Sequence, residues 1–155
     1  MSTASCIGIA ALEIAKREVG VKETSPNWGA RVKQYLAAAG VYSPAPWCIS
    51  FLCWCFERAG HPITAPGRAS VGMFETWAAR QGYLVKRPFK GDIVCYRWDG
   101  DDWPDHAGIV ERVLALRWRG GAFIGLVQTI EGNSSDAVRR RVRWIQRAKF
   151  VRIPD

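Results

Sequence analysis

The stretch that most constrains the fold is Pro46-Trp47-Cys48-Ile49-Ser50-Phe51-Leu52-Cys53-Trp54-Cys55-Phe56-Glu57-Arg58-Ala59-Gly60. From Cys48 to Phe56 it is almost wholly apolar and lacks the alternation of a strand, so it predicts a helix buried on all sides. Pro46 suits a helix entrance, and Gly60 suits the left-handed position that closes a helix. Cys48 then falls in the first turn. Unpaired backbone N–H groups and the positive end of the helix dipole meet there, and both favour an anionic sulfur. Cys48 is therefore a candidate nucleophile. Cys53 and Cys55 lie deeper in the apolar run and read as packing.

A buried helix needs a core around it, and 155 residues suffice for one domain spanning 1–155. Apolar residues at 48% and charged residues at 23% exclude a disordered or low-complexity chain. No apolar run reaches membrane-spanning length, and Glu13, Lys16, Arg17 and Glu18 interrupt the only apolar N-terminal segment, so no signal peptide is read. The five cysteines are odd in number and three crowd one helix, which is a poor disulfide framework and suits a reducing compartment. They also lack zinc-site spacing. Most of the eight Trp are expected in the core, with one or two lining a groove. The net charge of +8 draws the chain to polyanions: nucleic acid, anionic membrane or an acidic wall polymer.

Helical periodicity marks further helices at 5–20, 31–39 and 70–80, with Ser5 and Ser70 as caps. The period then changes. Strands are expected at 92–98, 106–113, 122–130, 138–145 and 150–153, and Gly120-Gly121 marks a hairpin. Helices first and strands later predict an α+β fold, with N-terminal helices packed on a C-terminal antiparallel sheet.

A thiol nucleophile needs a base, and only two His are available. His61 lies at the far end of the Cys48 helix, roughly 18 Å away along its axis. His106 opens a strand and is followed by Ala107 and Gly108, whose small side chains allow close approach by another element. With about 14 residues on each side of the Gly120-Gly121 turn, His106 mirrors the region from Leu126 to Asn133. Glu131 or Asn133 can then accept the imidazole N–H and fix its tautomer. Both remain open, with Glu131 favoured; as isolated residues both read as turn chemistry.

Trp47-Cys48, Gly91-Asp92-Ile93-Val94, Asp105-His106-Ala107-Gly108-Ile109-Val110 and Ile130-Glu131-Gly132-Asn133, in that order, resemble the CHAP family of cysteine- and histidine-dependent amidohydrolases and peptidases, within the papain-like NlpC/P60 group. The resemblance runs from about Ala10 to the C-terminus. It implies a papain-like fold, Cys48 as nucleophile, His106 as base, and Glu131 and Asn133 completing the site. It also implies amide cleavage in bacterial peptidoglycan, by an N-acetylmuramoyl-L-alanine amidase or an endopeptidase of the phage endolysin type. Such a protein is expected to be a monomer, made in the host cytoplasm and delivered by a holin. A secreted interbacterial effector with the same chemistry is the alternative. Trp47 and Asn27 are expected at the substrate, Asn27 also as a second oxyanion donor.

Two further signals remain. Asp99-Gly100-Asp101-Asp102-Trp103-Pro104-Asp105 carries carboxylates in a partial calcium-loop pattern, but Pro104 and Val110 stand where the pattern needs Gly and Glu. No cofactor is expected; calcium at Asp99, Asp101 and Asp105 is the alternative. Arg139-Arg140-Arg141-Val142-Arg143-Trp144, with Arg147, Lys149 and Arg152, reads as the solvated face of edge strands. It could instead contact an anionic envelope or, as the rival from another class, bind nucleic acid.

Overall fold

The computed structural model describes residues 3–155. Four helices come first: α1 (Cys6–Glu18), α2 (Ala30–Ala38), α3 (Cys48–Arg58) and α4 (Val71–Arg80). Six strands follow: β1 (Leu84–Val85), β2 (Ile93–Tyr96), β3 (His106–Arg119), β4 (Ala122–Glu131), β5 (Arg139–Trp144) and β6 (Lys149–Val151). They form one antiparallel sheet in the order β1-β6-β2-β3-β4-β5. The α+β architecture is as the element order predicts, and the papain-like arrangement is as the resemblance implies.

Helix boundaries follow local chemistry. Ser5 Oγ accepts from Gly8 N–H and Ser70 Oγ from Met73 N–H, so both predicted caps are made. At the end of α3, His61 N–H donates to Phe56 C=O and Gly60 N–H to Glu57 C=O, with Gly60 at φ 83°. This double bond pattern needs a left-handed residue, which is why the helix stops at a glycine.

α3 is the centre of the core. Every residue from Cys48 to Phe56 is buried, against α1, α2 and β3. Tyr35 of α2 anchors the aromatic part, with Trp47 stacked at 5.5 Å and Phe51 and Trp54 edge-on at 5.0 and 5.2 Å. Truncating a ring such as Phe51 would cost about 3–5 kcal/mol. The sheet presents Ile93, Cys95, Ala107, Ile109 and Ile130 to this core, while Val94, Tyr96, Val110 and Val127 build a second cluster.

The strands differ from expectation in three ways. β3 runs on to Arg119, well past Val113. A short β1 forms where a loop is expected, because β6 pairs with it. The C-terminal β6 enters the middle of the sheet beside β2. The tryptophans also depart from the expected core filling: Trp98, Trp103, Trp118 and Trp144, half of the eight, are more than half exposed.

Candidate active site

Cys48 is the first residue of α3 and is 6% exposed. Phe51 N–H bonds to Trp47 C=O, so the amides of the first turn, that of Cys48 included, have no carbonyl one turn back to pair with. His106 is the first residue of β3 and is also buried. Its side chain interacts with that of Cys48, and the interaction helps to raise the imidazole pKa. Its Nε2 lies 2.9 Å from Glu131 Oε2, which leaves Nδ1 for the sulfur.

Register sets this geometry. The hairpin tip pairs Arg119 with Ala122, and straight counting would bring Ile109 opposite Gly132. Two irregularities, between Val110 and Arg112 and between Val113 and Ala115, bring Ile109 opposite Ile130 instead. Glu131 is thereby carried alongside Gly108. A Cβ at Gly108 would stand 2.8 Å from Glu131 Cγ, so only glycine leaves room for the carboxylate to cross towards His106. Gly132 has a matching role, since a Cβ there would lie 2.6 Å from Phe51 Cβ of α3. The Glu-Gly-Asn sequence is a close-packed junction between sheet and helix, and no simple surface turn.

Glu131 is fully buried yet saturated with donors. Oε2 accepts from His106 and from Arg143 Nη2 at 2.7 Å; Oε1 accepts from Thr129 Oγ1 at 2.7 Å and Arg143 Nε at 3.0 Å. Burial pushes its acidity towards weaker values, but the hydrogen bonds from His106 and Arg143 outweigh burial and hold its pKa at about 2. For His106 burial again opposes the charge, while the bonds to Cys48 and Glu131 raise its pKa to about 9. The imidazole is thus built to carry a proton across neutral pH.

Trp98 roofs this line. Its ring stacks on His106 at 5.1 Å and on Tyr96 at 5.6 Å, and it remains 55% exposed. The Arg143 guanidinium sits 5.0 Å from the Trp98 ring. Residue order alone gave neither Trp98 nor Arg143 a place here. The signal for Arg143 was hidden in a run of arginines, and Trp98 was one of many aromatics.

The other expected residues fall as follows. Asn133, at φ 52°, donates Nδ2–H to Asn27 Oδ1 at 3.3 Å, so Glu131 and not Asn133 bonds the imidazole. Asn27, at φ 55°, lies on a loop tied to α3 through Glu23, which accepts from Trp47 Nε1 at 3.0 Å. Trp47 was expected at the substrate; it is fully buried, stacked on Tyr35, and belongs to the core. His61 sits at the far end of α3. Asp101 Oδ1 accepts from Trp103 N–H and Asp105 Oδ2 from Trp98 N–H, while Asp99 Oδ1 accepts from Asp101 N–H. Among the described residues no group of three His, Cys, Asp or Glu could hold a metal ion.

The basic run is mostly engaged internally. Arg140 holds buried Glu111 through Nε and Nη2 at 2.6 and 3.0 Å, and Arg152, just after β6, grips Asp92, just before the adjacent strand β2. Arg139 and Arg141 tie down the 134–135 turn.

A buried cysteine at a helix head, beside a histidine that a buried glutamate holds, on a helix-plus-antiparallel-sheet scaffold, has the elements that a thiol-dependent hydrolase requires. The family model of the CHAP domain matches residues 40–133, most of the chain and every member of this line, and the chain belongs to the CHAP domain family. That family comprises cysteine- and histidine-dependent hydrolases of the amidase and peptidase type that act on peptidoglycan. Comparison with curated proteins and with solved structures gives no significant match.

Proposed function

We propose that this domain hydrolyses an amide bond of bacterial peptidoglycan with Cys48 as nucleophile and His106 as base. The observation that carries the reading is the continuous line Cys48–His106–Glu131, drawn from a helix head and two adjacent strands. Cys48 Sγ attacks the amide carbonyl carbon as its proton resides on His106 Nδ1. The oxyanion is met by the Cys48 backbone N–H, and the Asn27 amide is the proposed second donor, held in place by Asn133. His106 then delivers its proton to the leaving amine as the C–N bond breaks and a thioester remains. Water, deprotonated by His106, attacks the thioester; the carboxylic acid leaves and Cys48 is restored. Glu131 keeps a proton on Nε2, so once the amine has taken the other proton, neutral His106 presents its Nδ1 lone pair to the attacking water.

The test is digestion of purified peptidoglycan followed by mass spectrometry of the fragments. New L-Ala amino termini identify an amidase, and new termini within the stem or cross-bridge an endopeptidase. Fragments cut only between sugars would overturn amide hydrolysis. The net charge of +8 fits work against an anionic envelope, and we extend the proposal to a monomeric lysin of the phage type, delivered from the cytoplasm by a holin. An immunity gene in place of a holin gene beside the coding sequence would move it to the secreted effectors. Strong DNA retention at physiological salt without wall lysis would favour the nucleic-acid rival.

A further inference from the structure

Arg143 lies on β5, beyond residue 133 where the family match ends, yet it makes two of the four hydrogen bonds to Glu131. The two are parallel, Nε to Oε1 and Nη2 to Oε2, which is the fork geometry that fixes the plane of a carboxylate. The guanidinium is itself fixed, 5.0 Å from the Trp98 ring and 6.0 Å from the Tyr96 ring, and Trp98 in turn stacks on His106. Glu131, Arg143, Trp98 and His106 thus close a ring of contacts around the imidazole–carboxylate bond. We propose that Arg143 is a positioning residue of the site: it clamps the Glu131 carboxylate in the one orientation that presents Oε2 to His106 Nε2. The proposal rests on the Cys48–His106 reading above.

The physical need is clear from the burial. A carboxylate with no solvent exposure keeps its charge only if its lone pairs are filled by donors. His106 and Thr129 supply one donor each, to different oxygens. Without Arg143 the carboxyl group is free to turn about its own axis or to take up a proton. Either event weakens its hold on the imidazolium.

The same strand offers a matched control. Arg140 makes the same forked pair with a buried glutamate, Glu111, away from Cys48 and His106. R143M, R143K and R140M are to be compared with the parent chain in two measurements. The first is the rate of Cys48 alkylation by iodoacetamide against pH, read by mass spectrometry of the Cys48 peptide. This needs no wall substrate, so it remains decisive if peptidoglycan proves to be the wrong substrate. The second is the rate of lysis at saturating and at low wall concentration.

R143M is expected to move the alkaline limb of the alkylation profile to lower pH and to lower the saturating lysis rate by about tenfold to a hundredfold, the range for a group that orients a functional side chain. R143K, which keeps the charge but loses the fork, falls between. R140M keeps the parent profile and rate, although it melts at lower temperature. An unmoved profile in R143M, an upward shift with the rate preserved, or equal losses in R140M would each overturn the proposal. An upward shift would mean that Arg143 acts as an opposing charge and not as a clamp. Circular dichroism confirms that each variant is folded.

Discussion

The head and the interior of α3 carry the same side chain in different settings. At the head, Cys48 meets His106, whose proton is held by Glu131. Further down, Cys53 and Cys55 are buried away from any histidine; Cys53 Sγ lies 3.8 Å from Arg68 C=O, and burial pushes its thiol up to about 12 and that of Cys55 well above its ordinary value. On a helix, position decides which thiol meets a base. The head offers unpaired N–H groups and an open approach to another element, whereas the interior offers neither.

The largest effect should separate these positions. C48A or C48S is expected to reduce lysis of purified peptidoglycan to background, while C53A and C55A stay within about twofold of the parent, since neither touches the reacting pair. Retained turnover in C48S, or loss confined to C53A, would break the comparison.

Next in size is the support behind His106. E131Q keeps the shape but loses the charge, and lysis is expected to fall about a hundredfold, within the range of a misoriented base. The charge change has a sign. His106 is raised from 6.5 to about 9, so its contribution to stability is fully present below pH 6.5 and is lost as pH rises through about 9. Glu131 is lowered from 4.5 to about 2, so its contribution is present above pH 4.5 and is lost as pH falls through about 2. The alkaline limb of activity is expected near pH 9 and should move to lower pH in E131Q. A limb that stays in place would show that Glu131 does not stabilise the imidazolium.

G108A probes the same support sterically. Its methyl group would meet Glu131 Cγ at 2.8 Å and displace the carboxylate. A loss of about tenfold in rate is expected, with a melting temperature lowered by only a few degrees. The smallest effect belongs to the interior of α3: C53A should lower stability by about 1–2 kcal/mol in denaturant unfolding, with activity unchanged. A larger activity loss than stability loss would give Cys53 a role that its surroundings do not supply.

Much of this arrangement is legible in residue order, for identifiable reasons. The run from Cys48 to Phe56 declares a buried helix because its pattern is local, and Ser5, Ser70 and Gly60 declare helix ends for the same reason. Cys48 and His106 stand out because each begins its element and few alternatives exist. Trp47 misled because an aromatic beside a nucleophile resembles a substrate platform, whereas its indole faces inward to Tyr35 and Glu23. The arginine run misled in the other direction. As a string it reads as a charged surface, yet Arg140, Arg143 and Arg152 each hold a buried or nearly buried carboxylate from another part of the chain.

What the sequence determined by itself is what lies within a few residues: helices, caps, the hairpin turn, a cysteine at a helix head and a histidine at a strand start. The tertiary structure alone decided the rest. It chose Glu131 over Asn133, because two irregularities in β3 set the register and no local pattern announces them. It brought Arg143 to the site because β5 pairs with β4 at Val127. It placed β6 in the middle of the sheet, since strand pairing between distant segments is settled by the burial of the whole sheet and not by any one segment's own preference.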